Sequence, residues 1–188
     1  MNQPTSNIVC FGEILWDLLP TGKVAGGAPM NVAFHAKQLG IATQMISKIG
    51  KDDLGKDLID FLSQRNVDTS LIQTDDTYST GRVKVTLNAM GSPSYEIIAP
   101  IAWDFIHSNT ANKTAVKAAD AFVFPTLQDQ FGYVVIEALA SGLPVICSKK
   151  AGVSSIIENG KNGYLVNPEG NFAKKIEDTF NSIFECIN

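Results

Sequence analysis

Asp17 is the first residue of the chain whose surroundings read as chemistry, because the run Gly26-Gly27-Ala28-Pro29-Met30-Asn31 follows shortly after it. Glycines let a ligand approach the backbone, a helix start offers unpaired N–H groups, and Asp17 and Asn31 can each bond a polyol through two atoms. That combination suits a neutral, hydroxyl-rich ligand. On spacing alone it is equally a glycine-rich turn in which Asn31 does no more than satisfy the first helical turn. Two further carboxylates, Asp129 and Glu137, bracket Gly132 where a loop opens into an apolar run. Taken by themselves, Asp129 reads as a helix cap and Glu137 as a solvated or core-edge side chain. Lys149 and Lys150 end another apolar run and could meet a phosphate, although paired exposed lysines are ordinarily solvated surface.

These residues need a scaffold, and the hydrophobic periodicity supplies one. Residues 8–11, closed by Gly12, read as a buried first strand that residues 15–18 continue. Residues 28–39 read as a helix, with Pro29 in the first turn and Gly40 at the C-terminal cap. Residues 45–49 form the next strand, and Asp52 caps a helix reaching Arg65 with Leu54, Leu58, Phe61 and Leu62 on one face. Residues 82–88 and 95–98 alternate polar and apolar around Gly91-Ser92-Pro93, which predicts a hairpin with one face solvated or covering a ligand. After a polar stretch over 107–114 the rhythm resumes: strand 121–124, helix 132–141, strand 144–147, a short helix over 153–158 and strand 164–166. A last helix runs from Asn171 to about Glu185 on the stripe Phe172, Ile176, Phe180 and Ile183. The expected fold class is α/β: a three-layer, Rossmann-like, mostly parallel sheet with helices on both faces, plus an antiparallel lid hairpin at about 80–98.

A chain of 188 residues holds one domain with a substantial core, or one and a half, but not two full-sized enzyme domains. Hydrophobic residues at 45% and charged residues at 18% are ordinary for a globular protein. A formal net charge of -4 without a run of lysines or arginines excludes nucleic acid and anionic membrane as expected partners. Cys10, Cys147 and Cys186 are odd in number and far apart, so neither a disulfide framework nor a metal site is expected. The first residues lack the basic and apolar regions of a targeting segment, and no apolar stretch reaches membrane-spanning length, so the expected location is cytoplasmic.

The segments GEILWDLLP, Gly26 through Asn31 with Ala33 and Gly40, KIGKDDLGKDL, GSPSYEII and AWDFI carry a family resemblance. On them, residues 8–106 resemble the ribokinase-type (pfkB) carbohydrate kinases, and the fructokinases in particular. The resemblance implies that Asp17, Gly26, Gly27 and Asn31 bind a small sugar such as fructose. It further implies that the hairpin closes as a lid, touches the sugar through Arg82 and Tyr95, and pairs two copies as a homodimer. ATP and Mg are implied as well, but the family's Gly-Ala-Gly-Asp turn, whose aspartate is the base, has no counterpart in a chain without a Gly-Asp dipeptide. The ATP-binding strands and loops do not follow either. The expectation is therefore sugar recognition without phosphoryl transfer, with no catalytic residue and no bound cofactor assigned.

From Ala118 the stretch AADAFVFPTLQDQFGYVVIEALASGLPVICSKKAGVSSIIENGKNGYLV resembles the donor-binding domain of retaining GT-B glycosyltransferases. The family places a carboxylate, seven residues and a glutamate at a loop-to-helix junction. Asp129 and Glu137 stand there, Asp129 replacing the more usual glutamate. The resemblance implies that Glu137 bonds the ribose of a nucleotide sugar, that Asp129 lies near the transferred sugar, and that the Phe131 and Gly132 backbone faces its hydroxyls or phosphate. The strands that would precede this half, with their basic residues, and an acceptor domain are missing. Residues 119–125 fit both families, so the expected organisation is a sugar-binding half over 1–117 and a glycosyltransferase-like half over 118–188 sharing one sheet. Three functions follow: sugar recognition, nucleotide-sugar binding, or a foldable chimera without a function of its own.

Overall fold

Gly12 sets the course of the first strands. In the computed structural model, which describes residues 7–87, 93–127 and 132–185, its φ is 132°, a backbone conformation open to glycine and strained for other residues. Strand β1 (Asn7–Phe11) stops there, and β2 (Leu15–Leu19) enters a different sheet, which corrects the expectation that residues 15–18 prolong the first strand. The chain divides into two compact units, Met1–Asn112 and Lys113–Asn188.

The first unit carries two sheets. In one, β4 (Ala42–Gly50) lies between β1 and β5 (Ile72–Asp75), all parallel, with α1 (Ala28–Gln38) and α2 (Asp53–Ser63) supplying the crossovers. Helix α2 begins where the cap predicts: the Asp52 carboxylate accepts from Gly55 N at 2.8 Å. Its expected apolar face holds, with Leu58 and Leu62 fully buried beside Ile14, Trp16, Met30 and Met45, and Leu54 and Phe61 packed against that core.

The other sheet is a flap of order β3-β2-β6-β7, adding β3 (Gly22–Gly26), β6 (Gly81–Leu87) and β7 (Pro93–Ile97). Strands β6 and β7 form the expected antiparallel hairpin, while Gly91 and Ser92 of its turn lie outside the described residues. Strand β2 pairs antiparallel with β3 and parallel with β6. Strand β3, with glycine at both ends, has no strand signal in its sequence; main-chain pairing to β2 along its whole length outweighs that poor propensity. Likewise α3 (Thr110–Lys117) replaces part of the expected polar loop.

Lys48 is buried near the C-terminal end of β4, and its ammonium pairs with Asp75 at 2.5 Å and donates to the Phe105 carbonyl at 3.0 Å. The same carboxylate accepts from the backbone of Thr77 and Tyr78, each at 2.8 Å, so one pair fixes the turn after β5. Lys48 and these two N–H groups hold Asp75 down to about 2, against an ordinary 3.8. A depressed carboxylate stabilises the fold fully above its unfolded value and loses that contribution as pH falls from about 4 toward 2. Thermal melts across this window are expected to show the fall in melting temperature, and Asp75→Asn to start lower and vary less with pH.

The second unit holds the parallel sheet β10-β9-β8, formed by β8 (Phe122–Phe124), β9 (Val145–Ser148) and β10 (Gly163–Val166). Central β9 is buried at every residue, as a parallel strand covered on both faces should be. Helix α4 (Tyr133–Ala140) joins β8 to β9, and the expected short helix near 153 is a 3₁₀ turn, Gly152–Ile156. Helix α5 (Phe172–Glu185) packs Phe172, Ile176 and Ile183 against Ile146 and Val166, leaving Phe180 at the margin. Among the described residues no helix is long and apolar enough to cross a membrane, and no cluster of side chains could hold a metal ion.

Candidate functional site

Alternation along β2 sends Trp16 and Leu18 into the core of the first unit and turns Leu15, Asp17 and Leu19 to the other face of the flap. Register places Leu15 opposite Gly26 and Asp17 opposite Val24. The Asp17 carboxylate lies directly against Gly26: a Cβ built there would overlap it. Burial raises the Asp17 carboxyl above its ordinary value. Gly26→Ala is therefore expected to displace the Asp17 side chain and weaken binding of any sugar held there by about tenfold or more, read by calorimetric titration.

Gly27 caps α1 with φ 111°, and a Cβ on it would stand 2.6 Å from the Glu13 carbonyl and 3.3 Å from Glu13 Cγ. The Glu13 carboxylate accepts from Ala28 N at 2.9 Å. Pro29 has no N–H, and that of Asn31 bonds the Gly27 carbonyl at 2.9 Å. The start of α1 thus does not offer the open row of donors that sequence predicts; Glu13 fills much of it. Nothing in helical spacing points to Glu13, which stands 15 residues before its partner and meets it at the open end of the β2–β3 hairpin, beyond the Leu15–Gly26 pair. Asn31 is exposed in the first turn of α1.

The two lid residues part company. Tyr95 pairs with Val85, and Ile97 with Val83, which faces Asp17 across β2–β6, so Tyr95 shares the Asp17 face. It lies two strands away, about 10 Å by strand spacing, and is 64% exposed. Arg82 pairs with Trp16 and turns to the opposite face. Its charge helps to lower Asp52, where burial pulls upward and hydrogen bonds from Thr80 and Gly55 outweigh it. Arg82 Nε is buried and has no hydrogen-bond partner among the described residues. Alternation along β6 thus separates Arg82 from Asp17, Gly26 and Tyr95, the other expected sugar contacts on the flap strands.

These residues do not fit the phosphates of ATP. Two carboxylates, Glu13 and Asp17, border the glycines, and Glu13 already occupies a helix-start donor that a phosphate would need.

In the second unit, Gly132 takes a left-handed conformation at φ 75° as the cap of α4. A Cβ there would come within 2.9 Å of the Phe124 ring and 3.3 Å of Val153, so the junction of β8 and α4 requires glycine. Glu137 is exposed on α4, and Lys149 and Lys150 are exposed after β9. Asp129 and Phe131 lie outside the described residues.

Comparison with known proteins finds likeness to both kinds of protein in one chain. Residues 99–185 match the family model Glycosyl transferases group 1. The chain is also 36% identical over 130 residues to a protein named as a sugar kinase in Pyrococcus horikoshii, covering 63% of this chain and 42% of that one. With fructokinase-7 of Arabidopsis thaliana it shares 32% over 133 residues, covering 64% and 39%. With an ATP-dependent 6-phosphofructokinase of Thermoanaerobacterium thermosaccharolyticum it shares 33% over 91 residues, covering 43% and 28%. The crystal structure of the Pyrococcus protein in complex with ATP superposes with a TM-score of 0.58 at 28% identity, covering 75% of this chain and 52% of that chain. The chain spans about two fifths or less of the length of these curated relatives. Its class is thus a Rossmann-like α/β protein with sugar-kinase likeness, overlapped toward the C-terminus by a glycosyltransferase match.

Proposed function

We propose that this chain recognises a small neutral sugar such as fructose at Asp17, Gly26, Gly27 and Asn31, and does not transfer phosphate to it. The observation that carries the proposal is the Asp17 carboxylate seated against Gly26 beside the start of α1, within the part of the chain that resembles fructokinases. A half-buried carboxylate offers two acceptor oxygens to adjacent hydroxyls, and the bare glycines leave room for a sugar ring to approach. Tyr95, on the same face, is the lid contact; Arg82 has no part in it. Val24, Tyr95 and Ile97 expose apolar surface on that face, which suits a lid closing on a sugar and pairing with a second lid. Calorimetric titration with fructose and with ATP tests the assignment: fructose binding with no heat from ATP is expected, and absence of fructose binding would refute it. Sedimentation of the chain and of Ile97→Lys tests the pairing, with a dimer expected only for the former.

A second function is favoured by the family match over residues 99–185: binding of a nucleotide sugar at the start of α4, through Glu137 with Asp129, Phe131 and Gly132. Titration with UDP-glucose is expected to give heat that Glu137→Ala abolishes. No heat from any of the three ligands would leave a folded chimera without a function of its own.

A further inference from the structure

The geometry around α1 points to a charge filter: Glu13 confines the site to neutral sugars and turns away phosphorylated ones. This deepens the sugar-site proposal and rests on it. Two carboxylates border the turn into α1: that of Asp17 lies against Gly26, and that of Glu13 is set on Ala28 N, its backbone carbonyl and Cγ facing Gly27. Ionised carboxylates only accept, so a ring of hydroxyl donors satisfies both, whereas a phosphate at neutral pH brings two negative charges and no donors.

No cation of the described flap strands compensates. Among the described residues of the flap strands the cations are Lys23, Arg82 and Lys84. Register pairs Lys23 and Lys84 with Leu18, and Arg82 with Trp16, so all three turn to the face opposite Asp17. Lys23 is further held by Asp57 and lies over the Trp16 ring, and Arg82 lies beside Asp52. At the helix start, the usual anion site of an α/β fold, Ala28 N is taken by Glu13 and Pro29 supplies no donor.

Titration of the full chain with fructose and with fructose 6-phosphate, at low and high salt, tests the filter in the parent and in Glu13→Gln. The amide keeps an oxygen for Ala28 N and removes the charge. The parent is expected to prefer fructose by about 100-fold, and the variant to narrow that ratio by about tenfold or more. High salt should narrow it in the parent and less in the variant. Equal binding of the two sugars by the parent, or a ratio unchanged in the variant, overturns the filter and leaves the sugar site standing. Loss of fructose binding in a variant of unchanged melting temperature overturns it too, making Glu13 a direct sugar ligand. Binding of neither sugar by the parent overturns both proposals. Should the variant not fold, the parent's salt dependence decides: a ratio indifferent to salt rejects the filter.

Discussion

Replacing Asp17 by asparagine is expected to weaken fructose binding by about 100-fold while leaving the melting temperature unchanged or slightly higher. The loss follows from exchanging a charged acceptor for a neutral amide, since hydrogen bonds to charged groups contribute about 1.5–3 kcal/mol. The stability expectation has the opposite sign for a definite reason. Burial raises the Asp17 carboxyl, so its charged form is disfavoured by the fold at neutral pH, and an uncharged side chain of the same shape relieves that cost. A structural aspartate would show the reverse, a fall in stability with no specific effect on sugar. Parallel calorimetric titration and thermal melts separate the two cases.

Asp52→Ala is expected to cause a large stability loss, about 3 kcal/mol in denaturant unfolding of the first unit. Its carboxylate accepts from Gly55 N at 2.8 Å, Thr80 N at 2.9 Å and Thr80 Oγ1 at 2.6 Å. Thr80 is fully buried, so removal of the carboxylate strands donors that water does not reach. Loss of a helix cap costs about 1 kcal/mol, and unsatisfied buried donors about 1–3 kcal/mol more. Asp52→Asn, which keeps one acceptor oxygen, is expected to recover part of the loss. Equal stabilities for the alanine variant and the parent would show that Asp52 does not tie α2 to the start of β6.

Elements with strong local signals were legible in the sequence. Helix α2 carried a cap and an apolar stripe, α1 carried Pro29 and Gly40, and β9 carried an uninterrupted apolar run. The hairpin was legible because alternation is a property of adjacent residues. What could not be read depends on partners distant in the chain. Strand β3 exists because β2 pairs with it, β2 leaves the first sheet because of one backbone angle at Gly12, and Glu13 meets α1 only because the β2–β3 hairpin brings their ends together. The candidate site divides the same way. Asp17 and the two glycines are neighbours in the structure as the motif implies, but the face on which Arg82 emerges is set by the register of β6 against β2, which spacing alone does not fix.

The parallel pairing of β2 with β6 carries a kinetic consequence. Between these adjacent strands the chain must complete β3, α1, β4, α2 and β5. Closing so long a loop is entropically costly and is repaid only when both strands dock, so this pairing belongs to the slow, late stage of folding. The β6–β7 hairpin can zip early on its own, yet it has no sheet to join until the body that carries β2 is in place. The surface bearing Asp17 therefore comes into existence at the end of the folding reaction, and recovery of sugar binding after dilution from denaturant should lag behind the recovery of helix signal.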